Sequence, residues 1–167
     1  MSHSTRRLFE SRSISLTTRK RMLKTYVWSP LLYGCETWSI SDSDRRKLDA
    51  FEMWCCRRML KISWRDHITN EDVLERVCEQ RNLYASICRR RAQWLGHVIR
   101  YDSIAKIILE GTVEGQCRRG RPRKEFLEQV KTDYNFSSYQ ELRMVAEDRG
   151  EWRRRLLLLQ TSLGAET

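Results

Sequence analysis

Only two prolines and seven glycines punctuate these 167 residues, and between them apolar side chains recur three and four positions apart. That interval lays one apolar stripe along each of a series of helices, because a helix turns once every 3.6 residues. With 40% of the residues hydrophobic, the chain holds enough apolar material for one domain, or two small ones sharing a core. The expected fold is all-α, with about six to eight helices set off by their boundary signals.

Thr17-Thr18 offers an N-cap ahead of Leu23, Tyr26, Val27 and Leu31, which share a helical face; Pro30 should kink or end that helix, and Tyr33-Gly34 follows as a turn. Ser41 to Asp44 caps a longer helix with the stripe Leu48, Phe51, Cys55, Met59 and Ile62, while Arg45, Arg46, Arg57, Arg58 and Lys61 project elsewhere. Trp64 to His67 reads as a loop, and Thr69 to Asp72 as the capping box of a helix carrying Val73, Leu74 and Val77. The next helix runs from about Leu83 to Arg100, with Leu83, Ile87, Trp94, Leu95 and Val98 inward. Ser103 starts a short helix that stops at Gly111, where a C′ glycine suits the end, and Gly111 to Gly120 forms a loop or marginal hairpin. Pro122 opens a helix with Phe126, Leu127, Val130 and Tyr134. A capping box at Ser138 to Glu141 precedes Leu142, Val145 and Ala146, and a last helix holds Trp152, Leu156 and Leu159. Trp38, Trp54 and Trp152 read as core anchors.

The net charge of +10 is unevenly spread. Residues 89–124 carry ten basic against three acidic side chains, whereas 125–167 carry six against eight. Two arrays hold most of the excess: Arg89, Arg90, Arg91, His97 and Arg100, then Arg118, Arg119, Arg121, Arg123 and Lys124. Charge packed this tightly costs self-repulsion, and a polyanion is the obvious reason to keep it. RNA or DNA, met through its phosphate backbone, is the expected partner, against the alternative of a solvated basic face on an ordinary helical domain. Arg89 to Arg91 are consecutive and so spread around the helix, which obliges at least one to lie beside the apolar face and snorkel or pair. Trp94 and His97, three apart, have the spacing to stack an unpaired base, although Trp94 sits on the apolar stripe and reads first as core.

Several chemistries lack their residues. The six cysteines show no paired zinc spacing, so free, mostly buried thiols in a reducing compartment are expected, with no metal and no cofactor. Asp66 and His67 are neighbours, and adjacent side chains rarely converge on one atom; a loop salt bridge is the simpler expectation. No converging carboxylates, phosphate loop or nucleophile elbow appears, so no catalytic centre and no small-molecule substrate is expected. Neither a secretory signal nor a membrane-length apolar run is present, which points to an intracellular chain.

Tyr33-Gly34-Cys35-Glu36-Thr37-Trp38 begins a longer pattern. It continues through Leu48-Asp49-Ala50-Phe51-Glu52, Arg57 to Leu60, Ile62-Ser63-Trp64, Ile68 to Glu71, Arg90-Arg91, Trp94 to Arg100, Gly120-Arg121-Pro122, and Asp148-Arg149 with Trp152-Arg153. This ordered set closely resembles the end of the reverse transcriptase of non-LTR (LINE-type) retrotransposons, over about residues 14–155. The resemblance implies a thumb-like fragment in residues 1–65 and a basic, helical nucleic-acid-binding region in 66–167. It also implies a nuclear location and a parent polyprotein that copies RNA into DNA at a nicked target. The family's palm, with its tyrosine-x-aspartate-aspartate motif, and its endonuclease would lie upstream of Met1, so this chain alone is not expected to polymerise. Arg119-Gly120-Arg121-Pro122 is also similar to the AT-hook core, whose extended backbone enters a narrow minor groove. Two rival readings follow: a small nuclear DNA-binding protein of AT-hook type, and a helical interaction module with no nucleic-acid role.

Overall fold

In a computed structural model, residues 13–79, 83–111 and 126–163 are described, and among them every regular element is helical. The helices are α1 (Leu16–Leu23), α2 (Asp42–Leu60), α3 (Asn70–Val77), α4 (Leu83–Arg100), α5 (Ile104–Glu110), α6 (Phe126–Asp133), α7 (Tyr139–Glu147) and α8 (Arg149–Leu163). The chain gathers into two units, one of Met1–Tyr33 with Asp42–Tyr84, the other of Gly34–Ser41 with Ala85–Thr167. Neither unit breaks at residue 65, because α3 packs on α2 and keeps the following segment with the first unit.

The first unit departs instructively from simple helical periodicity. Ser15, not Thr17 or Thr18, caps α1, its hydroxyl accepting the Thr18 amide at 3.2 Å. After Leu23 the backbone loosens into a π-helical turn over Lys24–Trp28 before a last short helical piece at Ser29–Leu31. Each π turn adds a residue, so the buried positions become Leu23, Trp28 and Leu32. Tyr26, expected inward on a regular helix, is instead 69% exposed. Gly34, at φ 69°, then supplies the left-handed turn expected at Tyr33-Gly34.

On α2 the buried face comprises Glu52, Met53, Cys55, Cys56 and Met59. Cys55 and Met59 are the expected members; Leu48, Phe51 and Ile62 are only half-buried. Trp54 falls off this face and is 43% exposed, so it is not the core anchor its size suggested. Glu52 earns its burial by accepting the Leu83 amide at the open start of α4, at 3.2 Å. Trp64 to Asp66 form a 3₁₀ turn rather than a loop, capped by Ser63, and Thr69 caps α3 by accepting from the Asp72 amide.

Helix ends here are closed largely without glycine. Lys61, Cys78 and Asn135 adopt φ of 61°, 53° and 52°, each just after a helix. In each case the following amide reaches back across the last turn: Ile62 to Arg57, Glu79 to Leu74, and Phe136 to Lys131. These are Schellman closures with side chains where glycine is usual. Gly111, expected as such a terminator, is extended at φ −72°.

The second unit is built around α4. Its Ile87, Cys88, Ala92, Leu95, Val98 and Ile99 are buried, as are Val130, Tyr134, Phe136, Leu142, Ala146, Trp152 and Leu156 from later elements. Trp94 is half-buried, its ring edge-on to Phe126 at 5.7 Å. Trp38 is also half-buried. Trp152 is the anchor expected of it, 2% exposed, with its Nε1 donating to the Ala92 carbonyl at 3.2 Å. Gln129 tethers the 34–41 segment: its amide accepts the Ile40 N–H at 2.9 Å and donates to the Ile40 carbonyl at 2.8 Å. Ser103 caps α5, Ser138 caps α7, and the Asp148 carboxylate accepts the Gly150 and Glu151 amides at the start of α8. The Glu141 carboxylate serves Ser137, at both its amide and hydroxyl, where a standard capping box would have turned it to Ser138.

Candidate nucleic-acid interface

The consecutive arginines of α4 meet three different environments, as a 100° step per residue requires. Arg89 is exposed. Arg90 is half-buried and faces Glu36 at 3.6 Å. Arg91 is fully buried, which corrects its expected role as a phosphate contact. Its guanidinium pairs with Asp133 at 3.3 Å, donates to Gln129 Oε1 at 3.1 Å and to the Phe126 carbonyl at 3.4 Å, and lies over the Phe126 ring at 5.0 Å. A buried cation needs such a set of partners.

The outward stripe of α4 is therefore Arg89, Gln93 and His97, all exposed, ending at the half-buried Arg100. These positions are four, four and three apart and extend roughly 16 Å along the helix axis. His97 packs its ring against Tyr101 with centroids 4.6 Å apart, and Tyr101 is itself 56% exposed. Arg100 donates to the Ala146 carbonyl at 2.6 Å, which fixes its head at the end of the stripe.

The Ala146 carbonyl lies three residues before Arg149, so the start of α8 brings two further cations toward this end of α4. Burial first, then the charge of Arg149 and more weakly that of Arg153, pull the Arg100 guanidinium below its ordinary pKa, while Tyr101 opposes them. Arg149 and Arg153, four apart on α8, are both exposed. Composition concealed them, because residues 125–167 carry more acids than bases. Two signals did point to them: the four-residue interval between two arginines flanking Trp152, and their place in the ordered pattern that ends at Trp152-Arg153. Neighbouring Arg154 is occupied differently, with Glu151 at 2.6 Å. His97, Arg100, Arg149 and Arg153 thus give the second unit a patch of planar, multidentate donors suited to phosphate oxygens.

The second expected array, Arg118, Arg119, Arg121, Arg123 and Lys124, lies outside the described residues, as does the segment similar to an AT-hook. Asp66 Oδ2 accepts the Ser63 amide at 2.6 Å, so this carboxylate closes its own turn. Cys35, Cys55, Cys56 and Cys88 are buried and Cys78 is exposed, all as free thiols. Burial is the chief cause that pushes Cys55 up to about 12 and Cys56 up to about 11, which keeps both protonated. Among the described residues no three His, Cys, Asp or Glu side chains group as metal ligands, and no helix is long and apolar enough to cross a membrane.

Compared with protein-family models, with curated proteins and with solved structures, the chain matches none.

Proposed function

We propose that this chain binds nucleic acid through its phosphate backbone, using the basic patch of the second unit, as the thumb and C-terminal part of a non-LTR reverse transcriptase would. The observation that carries the reading is the hydrogen bond from Arg100 to the Ala146 carbonyl, which holds the basic end of α4 at a point three residues in sequence from the exposed Arg149 and one turn further from the exposed Arg153. Like charges held together beside a half-buried guanidinium cost stability, and a bound polyanion recovers that cost. The exposed His97 and Tyr101 rings beside the patch are suited to an unpaired base. In this reading the chain supplies no catalytic carboxylates, acts in the nucleus, and serves an RNA-directed DNA polymerase whose metal-binding palm is a separate segment.

The test is the salt dependence of binding to RNA, single-stranded DNA and duplex DNA. Replacing Arg100, Arg149 and Arg153 by Ala removes up to three contacts, each contributing roughly 0.9 to the slope of log affinity against log salt on duplex and roughly 0.7 on single strands. The slope should therefore become shallower by about two to three. An unchanged slope would overturn the reading.

A second reading, a helical interaction module, is favoured by α5, whose Ile104, Ile107 and Ile108 are 75%, 70% and 75% exposed. Wild-type affinity that is negligible for every nucleic acid would select it.

A further inference from the structure

The first unit carries a cleft of about 670 Å³, lined by Trp54, Arg57, Arg58, Ile62, His67 and Ile68 among others. That volume lies in the range that encloses small ligands. Trp54 is the large aromatic that packing of α2 leaves in solvent, forgoing the burial an indole ordinarily finds. It is nonetheless held in place: Phe51 stacks on it with centroids 6.1 Å apart and planes 17° apart, and the Arg58 guanidinium lies 5.6 Å from its ring centroid. Arg57 is fixed as well, its Nη2 donating to the Ile68 carbonyl at 2.8 Å and to Asn70 Oδ1 at 3.0 Å. Another part of the lining comes from the capped turn between Ser63 and His67, where His67 takes φ 47° and closes the turn.

The cleft therefore combines a rigid aromatic plane, two isoleucines and two ordered arginines beside a histidine. A simple anion would leave the apolar part of the lining unused, and an apolar ligand would make no use of the guanidinium and imidazole groups beside it. The geometry points to a nucleotide unit as the occupant: a planar base against Trp54 and the isoleucines, with its phosphate toward Arg57, Arg58 and His67. Stacking on an aromatic side chain tolerates any base, and arginine adds attraction to both ring and phosphate. The same chemistry is offered by a free nucleotide and by an unpaired residue within a strand. This site belongs to the first unit and does not depend on the basic patch of the second.

The test uses the full chain with adenosine monophosphate, adenosine, inorganic phosphate and a short single-stranded adenylate oligonucleotide. Six tryptophans give six indole N–H resonances, and that of Trp54 is identified by its loss in Trp54→Phe. The monophosphate should shift this resonance saturably, and calorimetry should find adenosine and inorganic phosphate each about tenfold weaker or worse. Trp54→Ala should weaken the monophosphate at least about fivefold, Trp54→Phe about twofold at most, and Arg58→Gln should remove most of the advantage over adenosine. Because Trp54 is largely outside the core, circular dichroism of these variants should match the parent. In the Arg100, Arg149 and Arg153 triple-Ala variant, a Trp54 shift that saturates at lower oligonucleotide than monophosphate concentration assigns the cleft to a strand, and the reverse assigns it to a free nucleotide. The Arg100, Arg149 and Arg153 triple-Ala variant should keep the monophosphate affinity, which separates failure here from failure of the second unit's patch. Inorganic phosphate binding as tightly as the monophosphate, Trp54→Ala without effect in a folded chain, or no saturable shift at millimolar monophosphate would each overturn the proposal.

Discussion

The indole of Trp152 occupies the space that a side chain at Gly96 would take. A Cβ built on Gly96 falls within 2.8 Å of Trp152 Cδ1 and closer still to Nε1, well inside van der Waals contact. Glycine at this point of α4 is required by the approach of α8, since its own conformation is ordinary helix. The same indole hydrogen-bonds Ala92 and stacks on Phe136 with centroids 5.9 Å apart, so it has little freedom to move aside.

Gly96→Ala is accordingly expected to destabilise the protein, against the usual sign for a helix. Helix propensity alone would favour alanine by ~0.8–1 kcal/mol. Displacing Trp152 costs ~1–3 kcal/mol in overpacking and forfeits a hydrogen bond worth ~1 kcal/mol. A net loss of about 1–3 kcal/mol in urea denaturation is the expected result; a gain would show that α8 adjusts freely.

Arg91 and Arg89 should behave as opposites although they are two residues apart. Arg91→Ala removes the donor shared by Asp133 and Gln129 in a buried site, where breaking an ion pair costs ~3–5 kcal/mol. Asp133 retains 14% of its side-chain exposure, which favours the lower end. Arg89→Ala, on the surface, should change stability by less than ~0.5 kcal/mol. Thermal unfolding of the two variants checks the contrast.

Tyr139 ties α7 to α5 by donating to Glu110 Oε1 at 2.6 Å. Desolvation, and then the hydrogen bond and charge of Glu110, push its hydroxyl from an ordinary 10 up to about 12. The neutral form is the one favoured by folding, so this contribution is fully present below pH 10 and lost as pH rises from 10 to about 12. Tyr139→Phe should cost no more than ~1 kcal/mol at neutral pH, given the exposed setting. The stability difference between parent and variant should shrink across that alkaline window, as guanidinium titrations at several pH values would record.

Much of the architecture was legible because caps and apolar intervals act locally. Ser103, Thr69 and Ser138 start their helices as read, and Trp152 anchors the core. What escaped depends on tertiary partners or on rare backbone states. The π turn at Lys24–Trp28 moves burial from Tyr26 to Trp28, and nothing in residue type announces an i+5 turn. Glu52 and Gln129 look like solvated positions until Leu83 and Ile40 present backbone groups to them. The basic face was half legible: consecutive arginines forced one inward, but which one depended on Asp133, 42 residues away in sequence. Arg149 and Arg153 join Arg100 only through folding, and a regional charge sum hides them.

The remaining arginines, Arg118, Arg119, Arg121 and Arg123, separate phosphate contact from minor-groove reading. Replacing all four by Ala should make the salt slope on duplex DNA shallower by about three to four if each neutralises a phosphate. Combined with the Arg100, Arg149 and Arg153 replacements, the two losses should add if both regions engage one duplex at different phosphates. Groove reading by the arginine-glycine-arginine-proline segment would instead show as a larger loss on A·T-rich than on G·C-rich duplex, where the narrow groove concentrates negative potential. Equal losses on both sequences with a shallower slope assign these four arginines to phosphates. Unchanged affinity and slope would remove these four residues from the interface and leave the patch of the second unit to act alone.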